Sequence, residues 1–368
     1  MGRNIQKKRY LLLPFLIFYA IGVRIRNLLF DCGLLSSQQY PIAVICVGNL
    51  TVGGSGKTPF VEYLIRLLEK KYRVGVLSRG YKRKTSGYVL ADEKSTSAEI
   101  GDECCQIKHK YPQITVAVDG NRRRGIHNLM ALPEDTRPQV ILLDDAFQHR
   151  YVQPSLSILI TEYNHLYYKD KLLPVGRLRE PIGSVRRANI VIVSKCDHLL
   201  TSIDSRIIQN EMNLKPHQPP FFCGISYLPF KGVFPEAHNP YKLPELQEDD
   251  RILLLTGIAT PSLLIEEMKK HTKYIKVMSF ADHHAFNKKD VQKIKTELQK
   301  IEPGNRLIVC TEKDAARIRN NPHFPEEWRK LMYYVPIEID FLFNKSKLLD
   351  EIILRHIDTI ENSKILQR

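Results

Sequence analysis

One segment constrains the fold more than any other: "IAVICVGNLTVGGSGKTPFVEYLIRLLEKK", Ile42 to Lys71. It opens with an uninterrupted apolar run of strand length, the pattern of a strand buried on both faces of a parallel sheet. A glycine-rich turn follows, then a helical stretch with Phe60, Leu64, Leu67 and Leu68 on one face. Gly53, Gly54 and Gly56, with Ser55 among them, allow the backbone to approach an anion and turn its N–H groups inward. The helix that begins after Gly56 offers its N-terminus to the same anion. Gly56-Lys57-Thr58 fits the end of the pattern G-x-x-x-x-G-K-[ST], but Thr51 stands where the first glycine belongs. In this context Lys57 neutralises phosphate charge and the Thr58 hydroxyl binds Mg²⁺. A plain glycine-rich turn is the alternative, and the flanking strand and helix argue against it.

Further short apolar runs alternate with helical stretches: "RVGVLSRGY", "ITVAVDGNRRRG", "QVILLDDAFQHR", "LSILITEY" and "ANIVIVSKCD". This alternation predicts a mostly parallel α/β sheet, with the ligand beyond the carboxyl ends of its strands. From "RILLLTGIATPSLLIEEMKK" to "NRLIVCTEKDAARI" a second strand–helix series reads as a smaller α/β domain. The chain of 368 residues suits two domains. We place them at 37–222 and 223–368, divided in the proline-rich "LKPHQPPFFCGISYLP".

Residues 1–36 read differently. Lys7, Lys8 and Arg9 precede an apolar run from Leu11 to Val23, which Arg24 and Arg26 interrupt. The run is shorter than the ~20 residues of a full membrane span. No small-residue cleavage site follows, as a signal peptide would require. A basic, apolar helix lying on the cytoplasmic membrane surface fits best, with a buried core helix as the alternative. The formal net charge of +15 favours acidic partners: nucleic acid, anionic lipid or phosphorylated substrates. Nucleic acid is disfavoured, because no arginine-rich tail or basic stretch interleaved with aromatics occurs. Seven scattered cysteines form no C-x-x-C pair, so they indicate neither a zinc site nor a disulfide framework.

Asp144 and Asp145 end the run "QVILLDD", where an aspartate would help hold the metal ion. Adjacent strand residues face opposite ways, so both need not reach it. A turn-initiating acidic pair is the bland reading. Asp102 and Glu103 in "IGDEC", Arg177, Arg179 and Glu180 in "VGRLREP", and Asp282, His283 and His284 in "FADHHAF" are weak signals singly. "SKCD", Ser194 to Asp197, is similar to the base-reading N-K-x-D of GTPases but begins with Ser, and "TEKD", Thr311 to Asp314, imitates the same signal.

Taken together, "VGNLTVGGSGKTP", "LSRGYKR", "GDE", "VDGNRRRG", "LLDDAFQHR", "LLPVGRLREP", "FADHHAF" and "TEKDAARI" lie in order from Val47 to Ile318. This set resembles the tetraacyldisaccharide 4′-kinases, or lipid A 4′-kinases. That family's loop also lacks the first generic glycine; Ala146 departs from its usual glycine. The resemblance implies a P-loop NTPase-like core, a smaller α/β domain and an N-terminal membrane-associated helix, with the site in the cleft between domains. It implies ATP-dependent phosphorylation of the 4′-hydroxyl of a lipid A disaccharide 1-phosphate, by a monomer at the cytoplasmic face of the bacterial inner membrane. Family roles then fall on Lys57 and Thr58 at the phosphates and Mg²⁺. They place Asp144 or Asp145, with Glu180, around the metal, and Asp102 with His283 at the sugar hydroxyl. Arg79, Arg122, Arg177 and Arg179 are candidate phosphate clamps by their fork geometry.

A P-loop regulatory NTPase or GTP-driven metallochaperone would share the loop and could use "SKCD" for guanine. It would have no need of the apolar N-terminus and would want a Cys/His cluster that the spacing does not offer. A membrane-binding module without catalysis is a third possibility, for which Lys57 would be dispensable.

Overall fold

The computed structural model describes residues 13–237, 246–247, 249–258, 261–282, 284–302, 305–319 and 321–365. Helix α1 (Leu13–Asp31) leads to strand β1 (Ala43–Gly48) and helix α2 (Lys57–Leu68). Then come β2 (Val74–Ser78), β3 (Val89–Leu90), α3 (Ser97–Ile100), α4 (Asp102–Lys110), β4 (Thr115–Val118), α5 (Arg122–Met130) and β5 (Val140–Asp144). Strands β6 (Leu156–Glu162) and β7 (Ile190–Ser194), α6 (Ser202–Met212) and β8 (Pro220–Tyr227) follow. The next set is β9 (Lys231–Gly232), β10 (Arg251–Thr256), α7 (Ser262–Lys269), β11 (Tyr274–Ser279), α8 (Lys288–Gln299), β12 (Arg306–Thr311), α9 (Glu312–Ile318) and β13 (Met332–Val335). Strand β14 (Ile337–Phe341) and helix α10 (Ser346–Ile365) complete it.

The large sheet has nine strands in the order β14-β8-β7-β6-β1-β5-β2-β4-β3. All neighbours are parallel except the outer pairs β14/β8 and β3/β4. Strand β1 is central, flanked by β5 and β6, and its six residues are all buried. Ala43, Ile45 and Val47 pack on one face with Phe60, Leu64 and Leu68 of α2. Val44 and Cys46 pack on the other with Ile126 and Leu129 of α5. Period-two alternation on a strand covered on both sides explains its continuous apolarity. Each fully buried Phe or Leu contributes about 1.5–3 kcal/mol through apolar burial.

The small sheet has five strands, β11-β10-β12-β13-β9, parallel except for β13/β9. The division expected at 222/223 differs from the sheet membership. Strand β8 spans that point and pairs with β7. After β13 the chain returns: β14 pairs with β8, and Leu349, Ile353 and Ile357 of α10 join the core beneath α2. The large domain is therefore discontinuous in sequence, because long-range antiparallel pairing recruits 337–365 into the first sheet.

Helix α1 lies against the large domain. Tyr19 donates to the Arg179 carbonyl at 2.8 Å, Arg26 to the Gln148 carbonyl, and Asp31 accepts from Arg150 and Arg186. Its other face exposes Phe15, Ile17, Phe18, Ile21, Ile25 and Leu28. Among the described residues no helix is long and apolar enough to cross a membrane. Lys7, Lys8 and Arg9 lie outside the described residues.

Candidate active site

The glycine loop is held from three sides. The Asn49 side chain is fully buried and donates to the Ser55 hydroxyl at 2.9 Å. Gln148 donates to the Asn49 carbonyl at 2.7 Å. Ser194, at the end of β7, donates to the Ser55 carbonyl at 2.7 Å. Gly53 and Gly56 take φ of 113° and 82°, a region that disfavours side chains. Thr51, in place of the first generic glycine, forms an antiparallel bridge with Leu178, and the Val52 N–H donates to the Arg177 carbonyl. Neighbouring backbone thus fixes a position that a glycine's freedom would otherwise serve. Gly56 caps α2, so three turns of helix point their N-terminal N–H groups towards the loop.

Gly53, Gly54, Ser55, Gly56, Lys57, Thr58, Asp144 and Asp145 all line one cleft of about 1070 Å³. The small domain lines it too, through Asp282, Thr311 and Lys313, and α1 contributes Tyr19 and Arg26. The Lys57 ammonium lies 3.5 Å from Asp145, and Asp145 also accepts from Arg179 at 3.1 Å. Burial opposes ionisation of Asp145, but Lys57 and Arg179 outweigh it and hold the carboxyl below its ordinary range. Asp144 is different. Ser78 donates to its Oδ2 at 3.1 Å, while its buried Oδ1 has no hydrogen-bond partner among the described residues. Burial, then the carboxylates of Glu103 and Asp145, push Asp144 up to about 6. A buried carboxylate oxygen of this kind, in a cleft that Thr58 also lines, is the donor chemistry of a hard divalent cation.

The cleft carries more cations than carboxylates. Arg26, Arg79, Lys82, Arg122 and Arg179 line it. Burial and the arginines, Arg122 first, push His149 down to about 4, so its ring is neutral at pH 7. Such a wall suits a polyphosphate. Of the four arginines singled out in the sequence, Arg177 alone is not in the lining; it pairs with Asp170 at 3.2 Å.

The other sequence candidates are placed as follows. Glu180 is fully buried and does not line the cleft. Its Oε2 accepts from Arg187 at 2.5 Å, and Arg187 stacks 4.6 Å over the Phe147 ring and donates to the Phe147 carbonyl. Glu180 thereby braces the turn that carries Asp145. Asp102 begins α4, one residue before cleft-lining Glu103, and is gripped by Arg317 at 2.8 Å. His283 lies outside the described residues; its neighbour Asp282 lines the cleft, and His284 pairs with Asp290 at 2.8 Å. Lys195 of "SKCD" lines the cleft with its ammonium 3.1 Å from Glu162. Asp197 is turned to a local N–H of Leu199 instead. In "TEKD", Thr311 caps α9 and Asp314 is a buried structural acceptor. Sequence reading passed over Arg26, Gln148, His149 and Lys313; each reaches the cleft through tertiary packing, which no local pattern signals.

The family model for tetraacyldisaccharide-1-P 4′-kinase matches residues 8–358. A tetraacyldisaccharide 4′-kinase of Parabacteroides distasonis is 51% identical over 358 residues, covering 97% of each chain. That of Bacteroides thetaiotaomicron is 46% identical over 365 residues, covering 97% of this chain and 96% of its own. A crystal structure of LpxK from Aquifex aeolicus, an "apo" form in complex with ATP, matches with a TM-score of 0.71 and 28% identity. It covers 95% of this chain and 99% of that one. The chain belongs to the tetraacyldisaccharide-1-phosphate 4′-kinase family.

Proposed function

We propose that the protein is an ATP-dependent kinase that transfers the γ-phosphate to the 4′-hydroxyl of a tetraacyldisaccharide 1-phosphate in lipid A biosynthesis. The observation that carries this reading is the convergence, in one cationic cleft, of the glycine loop, Lys57 and the Asp144–Asp145 pair, in a chain of this family. The loop amides and the N-terminus of α2 cradle the phosphates, and Lys57 neutralises the charge that builds on the transferring group. Phosphoryl transfer depends chiefly on alignment and charge neutralisation, and the cleft supplies both.

A sugar hydroxyl is a weak nucleophile at neutral pH and gains from a positioned base. Asp102 with His283 is the pair we assign to it. The Thr58 hydroxyl and the Asp144 and Asp145 carboxylates would hold Mg²⁺, which when bound would supply charge neutralisation for the phosphates. Glu180, outside the lining, would bear on that group through the turn it braces or through its unpaired Oε1.

The exposed apolar face of α1 supports docking on the cytoplasmic face of the inner membrane. Tyr19, Val23 and Arg26 of the same helix face the cleft, so the helix joins the two environments its substrate needs. The test is transfer of radiolabelled γ-phosphate from ATP to a purified disaccharide 1-phosphate. Acceptor-dependent labelling is expected, falling at least about 100-fold in Lys57→Ala. GTP hydrolysis indifferent to the acceptor would favour a regulatory NTPase instead.

A further inference from the structure

Among the described residues, three ion pairs cross the boundary between the domains from α9 to α4. Glu312 meets Lys110 at 3.0 Å, Lys313 meets Glu103 at 2.8 Å, and Arg317 meets Asp102 at 2.8 Å. The third differs from the others in its anchoring. Arg317 is 6% exposed. Its Nε and Nη2 both reach Asp102 Oδ2, at 2.9 and 2.8 Å. Its Nη1 donates to Asp314 Oδ1 at 2.8 Å and to the Gly257 carbonyl at 3.2 Å. Asp314 is fully buried and is itself held by the Gly257 N–H at 2.8 Å and the Thr311 hydroxyl at 2.7 Å. The guanidinium therefore stands on a rigid footing at the ends of β10 and β12 and projects onto the first residue of α4. Planar, multi-donor contact of this kind fixes direction as well as charge.

We propose that Arg317 is a positioning residue for phosphoryl transfer: anchored in the small domain by Asp314, it aims the Asp102 carboxylate across the domain boundary, so that the hydroxyl-activating group is set only when the domains are together. This rests on the reading of Asp102 as the residue that acts at the hydroxyl. With Oδ2 pinned, the carboxylate cannot rotate, and the direction of its second oxygen is set. The charged and titratable groups around it include Arg317 and Asp314 from α9, Glu103 and Cys105 on its own helix, and Lys313 through Glu103. Domain separation would withdraw Arg317 from Asp102 and Lys313 from Glu103 together, at a cost that favours the assembled form. A hinge would then switch the reacting group on and off without touching the nucleotide loop.

The test compares Arg317→Ala, Arg317→Lys and Asp102→Ala in the full chain, with ATP varied at saturating acceptor. Arg317→Ala is expected to lower kcat about 100-fold, the size of a small misplacement of a reacting group, with the KM for ATP little changed. Its acid limb in the pH profile of kcat should move up, because a lost cation disfavours the ionised carboxylate. Added guanidinium ion should restore part of the rate, and Arg317→Lys should fall between. Wild-type kcat in Arg317→Ala overturns the proposal. So does a loss that guanidinium does not relieve and that tracks reduced thermal stability in both Arg317 variants. If Asp102→Ala keeps full activity, the reading of Asp102 fails; if Asp102→Ala is inactive while Arg317→Ala is normal, only the positioning role fails.

Discussion

The hydroxyl of Ser194, the last residue of β7, donates to the carbonyl of Ser55 in the glycine loop at 2.7 Å. The same hydroxyl lies 3.3 Å from the Thr161 carbonyl at the end of β6. The loop is thus stitched to two neighbouring strands as well as to β1, from which it springs. That matters because a phosphate cradle works only if its amides are already aimed.

Ser194→Ala removes that stitch and leaves the Ser55 carbonyl without this donor. A hydrogen bond of this kind is worth about 1 kcal/mol. The expected result is a KM for ATP raised about three- to tenfold with kcat nearly unchanged. Initial rates with ATP varied at saturating acceptor check it. An unchanged KM would show that the remaining contacts of Asn49 and Gln148 hold the loop without it.

Asp144 carries a pH signature. Its folded-state pKa of about 6 lies above the ordinary aspartate value, owing to burial and then to Glu103 and Asp145. The folded protein therefore binds this proton more tightly than the unfolded chain does. The sign follows: stability is greatest below the unfolded value and is lost as pH rises through about 6. Asp144→Asn should stabilise the fold at pH 7.5 by on the order of 2 kcal/mol, seen as a raised thermal midpoint, and lose most of that gain at pH 4.5. It should also abolish phosphoryl transfer. Melting curves of both proteins at the two pH values decide; identical pH dependence would remove the buried-charge account.

Gly48 ends β1 against the turn after Asp145. A Cβ there would sit 2.6 Å from the Phe147 Cβ and 2.9 Å from its backbone nitrogen. Gly48→Ala must push the turn away, at about 1–3 kcal/mol. Because that turn follows Asp144 and Asp145, kcat should fall along with the denaturant midpoint. Urea unfolding and transfer assays on one preparation measure both.

The membrane face of α1 can be tested without disturbing the cleft. Phe15, Phe18, Ile21 and Ile25 are exposed, whereas Tyr19 and Arg26 face the cleft. Replacing the first four by Ser or Gln should weaken co-sedimentation with anionic vesicles by about tenfold or more, while ATP binding persists. Full pelleting of the variant would place the membrane contact elsewhere.

Much of this site was legible in the sequence because strand, loop and helix around Lys57 are contiguous and their periods are unambiguous. Asp144 was legible for the same reason, standing at the end of a uniformly apolar strand. The reason Thr51 suffices without glycine was not, since Leu178 supplies it from far along the chain. Nor was the role of "TEKDAARI", which imitates a base-reading motif. Its Thr311 and Asp314 serve a helix cap and a buried anchor, and its Arg317 reaches a partner 215 residues away. The pairing of β14 with β8 was not legible on similar grounds: the two strands find each other across the whole small sheet, and residue type carries no record of pairing at that distance.

The late return of β14 and α10 to the large sheet has a consequence for biogenesis. Phe341, Leu349, Ile353 and Ile357 fill the core that supports α2, and Asp358 takes hydrogen bonds from Lys71 and Tyr72 just after that helix. A nascent chain released only as far as residue 336 would hold every phosphate-gripping residue yet lack the wall behind them. The half made first must therefore wait for a segment made much later, and a fragment cut at 222 would be an unfinished core rather than a minimal nucleotide-binding unit.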